Sequence, residues 1–194
     1  LMGKGAEAFA KTQQLELVDN EYFHTERRRR QLEYAIARDQ DLSAIESVTD
    51  AYESRKFGTV GAVALDQRGN IAAATSTGGM TNKRFGRIGD SPIIGAGTYA
   101  DNNACGISAT GHGEYFIRAA VAYDICARVK YQGVNLRTAA NAVVHTTLVK
   151  MGGDGGVIGL DPSGEVVYAF NTTGMYRASI DTLGELDVGI FQQP

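Results

Sequence analysis

The sequence predicts an α+β fold in which helices cover a mixed or antiparallel sheet. Strand patterns, helix patterns and again strand patterns follow one another, without the strict alternation that is typical of a doubly wound parallel sheet. The chain also changes abruptly at Gly58, from a charged, helix-prone part to one rich in Gly, Ala, Val and Thr. Of its 194 residues, 43% are hydrophobic and 21% are charged, which is the composition of a folded domain with one sizeable core.

The first predicted strand covers residues 59–66, an apolar run whose β-branched residues are typical of a strand buried on both faces. Turn residues follow at 67–70, and residues 71–75 are predicted to pair with the first strand as a hairpin. Residues 76–82 are expected to form a loop because Gly and Thr dominate them.

Two helices are predicted in the second half of the chain, over residues 114–130 and 135–150. In the first of them, apolar residues recur at helical spacing, which indicates a helix packed on a sheet. Strands are predicted around these helices, over residues 103–110, from the Gly-rich run 152–156 to residue 161, and over residues 165–170.

The segment 25–56 is highly charged and contains few large apolar residues. It includes the four arginines 27–30 and repeated Asp and Glu. This pattern predicts a solvated helix followed by a mobile linker, in preference to a basic binding patch.

Charge and cysteine content narrow the class of partner. The 19 basic and 22 acidic residues leave a net charge of -3, which gives no electrostatic reason to expect nucleic acid or an anionic membrane, so the expected partner is a small molecule. No apolar run reaches the roughly 18 residues of a membrane-spanning helix. Cys105 and Cys126 lie in apolar surroundings and are expected to be buried free thiols. Free thiols favour a reducing compartment, and a cytoplasmic location is expected.

Thr59 lies where the polar segment meets the first buried strand. If the bond from Gly58 were cut, Thr59 would begin a well-held strand and carry a free α-amino group. The unperturbed pKa of such a group is about 7.7 to 8.0, so it can accept the proton of its own hydroxyl near neutral pH. A Gly-Thr pair alone most often marks nothing more than the start of a strand.

Further motifs strengthen the catalytic interpretation because they occur together and in one order. They are residues 3–9 (GKGAEAF), 58–66 (GTVGAVALD), 74–79 (ATSTGG), 86–92 (GRIGDSP) with 95–97 (GAG), and 110–114 (TGHGE). Together they resemble the plant-type asparaginase and isoaspartyl-peptidase family of N-terminal-nucleophile hydrolases. Any one of these motifs alone would be a weak signal, whereas the ordered set is specific.

The resemblance implies a fold and a processing event. The family fold is a four-layer αββα sandwich, which in this chain is expected to lack its N-terminal strands. The precursor is expected to cut itself between Gly58 and Thr59. Residues 1–58 would then be the C-terminal part of an α subunit and residues 59–194 a β subunit that carries the nucleophile, the two parts forming one domain.

The resemblance also implies roles for matched residues. Thr59 is the expected nucleophile, and the Thr77 hydroxyl is expected to bond to that of Thr59 and orient it. The Thr110 hydroxyl and the Gly111 amide are expected to stabilise an oxyanion. The implied substrate site consists of Arg87, Ile88, Gly89 and Asp90 together with Thr110, Gly111, His112 and Gly113.

Residue chemistry suits an amino-acid substrate. The planar guanidinium of Arg87 matches a carboxylate, and Asp90 can accept from an ammonium group. Without the resemblance, a surface ion pair for these two residues and a plain Gly-rich turn at 110–113 would be the ordinary interpretations. His112 is expected to line the pocket, since the α-amino group of Thr59 is the implied base.

No cofactor is expected. His24 and His145 have no Cys or His neighbour at metal-ligand spacing, so a zinc site is improbable, while the resemblance leaves room for a structural alkali ion such as sodium.

The implied activity is hydrolysis of L-asparagine and β-aspartyl dipeptides by a homodimer of processed precursors. Two alternatives stay open. One is a glycosylasparaginase-like hydrolase. The other is a non-catalytic remnant, because the family's upstream strand and His-Gly-Gly-Ala-Gly stretch do not appear in this chain.

Overall fold

A computed structural model describes residues 1–40 and 58–191 of the chain, and it divides the chain into two compact units. The first unit comprises Leu1–Gly58 and Gly79–Arg87, and the second comprises Thr59–Gly78 and Ile88–Pro194. The predicted linker lies outside the described residues. That residues 1–58 and 59–194 form one domain stays a prediction.

The first unit contains helices α1 (Gly3–Thr12) and α2 (Glu26–Gln40) with a 3-10 turn between them (Asn20–Phe23). The Thr25 hydroxyl accepts the Arg28 amide at 3.2 Å, so it caps an amide of the first turn of α2. On the solvent side Glu26 pairs with Arg30 at 3.0 Å. The prediction of a solvated helix is therefore confirmed for the part that the structure describes.

Over its described residues, 59–78 and 88–191, the second unit contains eight strands and two helical regions. The strands are β1 (Thr59–Leu65), β2 (Ile71–Thr77), β3 (Thr98–Ala100), β4 (Gly106–Gly111), β5 (Gly155–Leu160), β6 (Val166–Phe170), β7 (Gly174–Ile180) and β8 (Leu186–Phe191). The helices are α3 (Gly113–Ala119), α4 (Val121–Ala127), α5 (Leu136–Ala142) and α6 (Val149–Met151), with π-helical turns at Arg128–Gln132 and Val143–Leu148. The predicted α+β class is confirmed.

Three of the hairpins close on the same local sequence, Asp-x-x-Gly, at Asp66, Asp161 and Asp181. In each, the carboxylate accepts the backbone amides two and four residues ahead, at 2.8 to 2.9 Å. The glycine three residues after the aspartate has φ between 82° and 89°, a conformation that costs glycine little. This turn chemistry fixes the registers of β1 with β2, β5 with β6 and β7 with β8.

The second unit is layered. β3, β4, β5 and β6 form a central antiparallel sheet, and the helices pack on its back, where the side chain of Leu136 lies against Gly159. The hairpin of β1 and β2, called here the front hairpin, packs on the other face, since Ser108 of β4 lies directly against Gly61 of β1. The β7–β8 hairpin shares that face, because the Met175 sulfur lies next to Gly156.

The core lies between the central sheet and the helices, and its largest fully buried side chains are Phe116, Ile107, Ile125, Leu136 and Leu148. The prediction of buried free thiols is wrong, because Cys105, just before β4, forms a disulfide with Cys126 of α4. Their Cα atoms lie 5.4 Å apart, within the usual range for a disulfide. Because disulfides persist in oxidising surroundings, the cysteine argument for a reducing compartment no longer holds.

The predicted helix over residues 114–130 is interrupted at Ala120, which adopts a left-handed conformation with φ 47°. The amides of Ala122 and Tyr123, freed at the start of α4, donate to the carbonyls of Ala96 and Gly95 at 3.2 and 2.9 Å. Tertiary hydrogen bonds therefore compensate for the break. The second predicted helix, over 135–150, is confirmed, and the Asn135 side chain caps its start.

The predicted two-sided burial of β1 is wrong. Its inward positions face β4, whereas Val60 on the outer face is 69% exposed. Small apolar side chains line both faces of the strand, so the composition is that of a buried strand although the second unit covers one face.

Candidate active site

Thr59 and Thr77 lie opposite each other at one end of the front hairpin. Thr59 begins β1, Thr77 ends β2, and the two are register partners. The hydroxyl of Thr59 donates to Oγ1 of Thr77 at 3.2 Å, so the expected hydrogen bond between these hydroxyls is present. The placement of residues 76 and 77 in a loop is wrong, because the antiparallel ladder continues to the last pair.

Thr110 lies near the end of β4 on the face that the front hairpin covers. It shares a cleft of about 300 Å³ with Thr59. The walls come from β1 and β7 and the floor from β4 and β5, and the residues that line it are Thr59–Gly61, Ser108–Thr110, Ile158 and Met175–Ala178. Two of the three threonines that the resemblance singles out thus face one cleft, and the third is bonded to one of them.

Gly111 and Gly155 face each other where β4 ends and β5 begins. A Cβ at Gly111 would overlap the Asp154 carbonyl oxygen and lie 2.7 Å from the Phe116 ring, and the residue has φ 152°. A side chain at this position would push the two strands apart. Glycine is therefore required for Thr110 to keep its place beside the start of α3.

His112 and Gly113 connect β4 to α3. The backbone amide of His112 donates to the Asp154 carbonyl at 3.1 Å, so this N–H is already used within the protein. The imidazole pairs with Glu114 at 3.3 Å and meets the Tyr115 ring edge-on, with ring centroids 5.0 Å apart. His112 is not among the residues that line the cleft, and its expected place in the pocket wall stays a prediction.

The loop 88–90 belongs to the second unit. Asp90 is 6% exposed, and its carbonyl accepts the Ile93 amide at 2.9 Å in a tight turn. Gly89 is buried beside it, whereas Ile88 is exposed. Arg87 is the last residue of the first unit, so its pairing with Asp90 around one substrate stays a prediction. The bond from Gly58 to Thr59 falls on the boundary between the units.

Several residues of the cleft lie outside the five motifs or carry no expected role. Gly61 and Ser108 border it from β1 and β4, and Met175, Tyr176 and Arg177 border it from β7. The Arg177 guanidinium lies over the rings of Tyr168 and Phe170, 5.6 and 5.4 Å from their centroids. Strands β7 and β8 were not predicted from the sequence. The Asp-x-x-Gly sequence at 181–184, which matches the turns of the other two hairpins, indicates the turn between them.

Within residues 1–40 and 58–191, no group of three or more His, Cys, Asp or Glu side chains is arranged to hold a metal ion. None of the helices described there has the length and apolar character to cross a membrane.

Comparison with known proteins identifies the family. The family model described as Asparaginase matches residues 1–190, so the chain belongs to this family. The match covers both units and includes all of the candidate site residues.

Curated relatives are similar over nearly the whole chain. An isoaspartyl peptidase of Escherichia coli (strain K12) is 51% identical over 179 residues, which is 92% of this chain and 55% of the relative. A putative isoaspartyl peptidase/L-asparaginase of Dictyostelium discoideum is 45% identical over 209 residues, covering 93% of this chain and 59% of the relative. An isoaspartyl peptidase/L-asparaginase of Mus musculus is 40% identical, covering 98% and 56%. The chain thus spans little more than half the length of the relatives it matches.

Proposed function

We propose that this chain belongs to a self-processing amidohydrolase that uses Thr59 as its nucleophile and hydrolyses L-asparagine and β-aspartyl dipeptides to release L-aspartate. The observation that carries the proposal is the Thr59–Thr77 hydroxyl pair, 3.2 Å apart, beside a cleft that also contains Thr110. The names of the relatives, isoaspartyl peptidase and isoaspartyl peptidase/L-asparaginase, support the substrate class.

Activation begins with cleavage of the chain. The Thr59 hydroxyl oxygen attacks the carbonyl carbon of Gly58, the peptide C–N bond breaks, and an ester links Gly58 to Thr59. Water then hydrolyses the ester and regenerates the hydroxyl. The product carries a free α-amino group on Thr59, which supplies a base within the same residue as the nucleophile.

Hydrolysis of the substrate repeats this chemistry. The Thr59 hydroxyl attacks the side-chain carbonyl of the aspartyl group, and its proton passes to the α-amino group and then to the departing ammonia or amine. The Thr110 hydroxyl and Gly111 amide stabilise the oxyanion, for which removal of one donor typically costs about 3 to 4 kcal/mol. Water hydrolyses the acyl ester. Since nucleophile and base share one residue, the reaction requires no cofactor.

Recognition of the substrate is assigned to the loop 87–90 with 110–113. The guanidinium of Arg87 binds the α-carboxylate and the carboxylate of Asp90 accepts from the α-ammonium. Asparagine and β-aspartyl dipeptides present the same two groups, which accounts for both substrates.

The proposal extends to architecture. We assign the complete protein to the four-layer αββα sandwich and to a homodimer of processed precursors. Support comes from the layering of the second unit, in which helices, the central sheet and the front hairpin succeed one another. Light scattering of the purified full-length gene product tests the dimer.

The test of the activity uses the full-length gene product. Denaturing mass spectrometry is expected to find two fragments that meet between Gly58 and Thr59, and the purified protein is expected to release aspartate from a β-aspartyl dipeptide. A Thr59→Ala variant should remain in one piece and be inactive. Thr146→Ala, which changes an exposed helical threonine, serves as the matched control and should cleave and turn over normally.

Efficient cleavage of the Thr59→Ala variant would refute the mechanism. Wild-type protein that cleaves itself but releases no aspartate would refute the substrate assignment. Wild-type protein that neither cleaves nor turns over would favour a non-catalytic remnant.

A further inference from the structure

A pair of hydroxyls joins the front hairpin to the central sheet directly behind the three threonines. Oγ1 of Thr75 on β2 and Oγ of Ser108 on β4 lie 2.6 Å apart, and Ser108 is 3% exposed. The Thr75 hydroxyl also lies 2.9 Å from the carbonyl oxygen of Gly97. Neither hydroxyl has a role in the mechanism proposed above.

The contacts determine the direction of the hydrogen bonds. A hydroxyl has one proton, and the Gly97 carbonyl can only accept, so the Thr75 hydroxyl donates to it. The Ser108 hydroxyl must then donate to Thr75. The result is a row of two hydrogen bonds that runs from Ser108 through Thr75 to Gly97. It links strands β4 and β2 to the residue before β3.

These three hydrogen-bonded residues, Ser108, Thr75 and Gly97, form a layer beneath the threonines. Thr75 precedes Thr77 by two residues on β2, and Ser108 precedes Thr110 by two residues on β4, so each shares a face of its strand with a proposed catalytic threonine. The register partner of Thr75 is Gly61, two residues after Thr59 on β1. Thr77 and Thr110 therefore each have a member of this layer two residues away on the same strand, and Thr59 has Gly61, the register partner of Thr75.

Gly61 makes room for the Ser108 hydroxyl. A Cβ at Gly61 would overlap Ser108 Oγ and lie 2.9 Å from Ser108 Cβ. The absence of a side chain thus allows β1 and β4 to approach, and the hydroxyl fills the space. Glycine inside a strand weakens it, but here the glycine admits a close neighbour.

Gly97 extends the contact to the substrate loop. Its carbonyl accepts both the Thr75 hydroxyl and the Ala109 amide, each at 2.9 Å. A Cβ at Gly97 would lie 2.6 Å from the Asp90 carbonyl oxygen, so the backbone at Asp90 rests on this residue. The row of hydrogen bonds therefore ends against the loop that carries Asp90.

We propose that Thr75 and Ser108 are positioning residues that hold Thr77, and through it the Thr59 hydroxyl, at a fixed distance from Thr110. The roles of the three threonines rest on the proposed function, whereas the positioning itself is a property of the fold. On its inner face the front hairpin packs Ile71 and Val63 against Gly106 of β4, and the hydroxyls of Thr75 and Ser108 add a directional contact towards the end that carries Thr77. A displacement of about 1 Å at a reacting group can lower a rate by on the order of 100-fold.

The first test is structural and does not depend on activity. Two single variants of the full-length protein, Ser108→Ala and Thr75→Val, are to be crystallised separately. In each structure Thr59 Oγ1 and Thr77 Oγ1 are expected to lie more than 3.5 Å apart. Thr75→Ser keeps the hydroxyl and is expected to retain the hydrogen bond. An unchanged Thr59–Thr77 bond in both hydroxyl-deleted variants would overturn the proposal, whatever the protein hydrolyses.

The second test is kinetic. On fully cleaved enzyme with a β-aspartyl dipeptide, Ser108→Ala and Thr75→Val are expected to lower kcat about tenfold with KM within about twofold, because positioning acts on the chemical step. Thr75→Ser should rescue kcat. Thr147→Val, at a half-buried helical threonine, is the matched control and should leave both constants unchanged.

The outcomes separate positioning from stability and from the proposed function. A lower melting temperature with an unchanged kcat in Ser108→Ala and Thr75→Val would mean a purely structural role and contradict the proposal. A wild-type protein without hydrolase activity would refute the proposed function, and the crystallographic test would still decide positioning. If Thr75→Val does not fold, Ser108→Ala removes one oxygen atom, leaves the Thr75–Gly97 bond in place and suffices for both tests.

Discussion

The front hairpin and the layer of helices lie on opposite faces of the central sheet, and they are built differently. The helices bury Phe116, Ile125 and Leu148 completely, and a disulfide ties them to the start of β4. The front hairpin buries Ile71 against Gly106 at its far end, and near Thr59 and Thr77 it meets β4 through Gly61 and the hydroxyls of Thr75 and Ser108.

The difference separates stability from chemistry. The largest fully buried side chains and the disulfide lie behind the sheet, whereas the candidate nucleophile and its hydroxyl partner lie on the hairpin in front. Changes behind the sheet should therefore lower the free energy of unfolding, and changes at the hairpin's inner face should mainly lower activity. Stability is best measured in the uncleaved Thr59→Ala background, so that the unfolding chain is in one piece.

The largest effect on stability is expected from the disulfide. Replacing both Cys105 and Cys126 by Ala should lower the free energy of unfolding by about 3 kcal/mol, because a cross-link over a sequence separation of 21 restricts the unfolded chain. Urea titration measures this loss. Reductant should shift the midpoint of the parent protein and leave that of the double variant unchanged. Labelling of Cys105 and Cys126 by a thiol reagent in the unfolded, unreduced parent, located by peptide mass mapping, would contradict the disulfide.

The largest effect on activity is expected from Thr77. Thr77→Val preserves the shape of the side chain but removes the acceptor of the Thr59 hydroxyl, so turnover should fall about 100-fold. Because the residue is half-buried on the hairpin, the free energy of unfolding should change by less than about 1 kcal/mol. A loss in the free energy of unfolding that is larger than the loss in activation free energy calculated from turnover would contradict the proposed difference between the two regions.

A matched pair of valines compares packing directly. Val144 in the helical layer is 0% exposed, whereas Val60 on the outer face of the hairpin is 69% exposed. Val144→Ala removes two buried carbon groups and leaves a cavity, with an expected loss of about 2 kcal/mol. In the 194-residue chain, Val60→Ala should change the free energy of unfolding by less than about 0.5 kcal/mol. Equal losses in urea titrations of that chain would mean that the hairpin's outer face is covered in solution.

The smallest effect concerns acid. The side-chain hydrogen bond from Lys130, followed by the Asn103 amide, lowers the pKa of Asp101 below its ordinary value of 3.8. The stabilisation by this carboxylate is present above the unfolded pKa and is lost as the pH falls through the lower folded pKa. Asp101→Asn should therefore be less stable than the parent at pH 7, with the difference shrinking towards pH 3.

Asp66, in the turn of the front hairpin, is expected to show the same kind of pH dependence as Asp101. The Asn70 side chain is the largest cause of its lowered pKa, so Asp66→Asn should show the same sign of pH dependence. For either aspartate, a difference between variant and parent that grows on acidification would contradict the assignment.

Much of the fold is predictable from the sequence where local chemistry dominates. Turn residues at 67–70 and at 162–164 predict two hairpins, and a helix is predicted over 135–150; the structure confirms all three. The break at Ala120 is not predictable in this way, because the carbonyls that compensate for it belong to Ala96 and Gly95, far from it in the sequence. The burial of β1 was overestimated for the related reason that local composition does not reveal which faces are covered.

The candidate site is divided in the same way. The sequence by itself determined the family, through ordered motifs whose residues are fixed by chemistry, and it singled out Thr59, Thr77 and Thr110. Only the tertiary structure decided that Thr77 ends a strand opposite Thr59, that Cys105 bonds to Cys126, and that Ser108 donates to Thr75. The physical reason is that each of these pairs joins residues 18 to 33 positions apart, whose approach depends on how strands and helices pack.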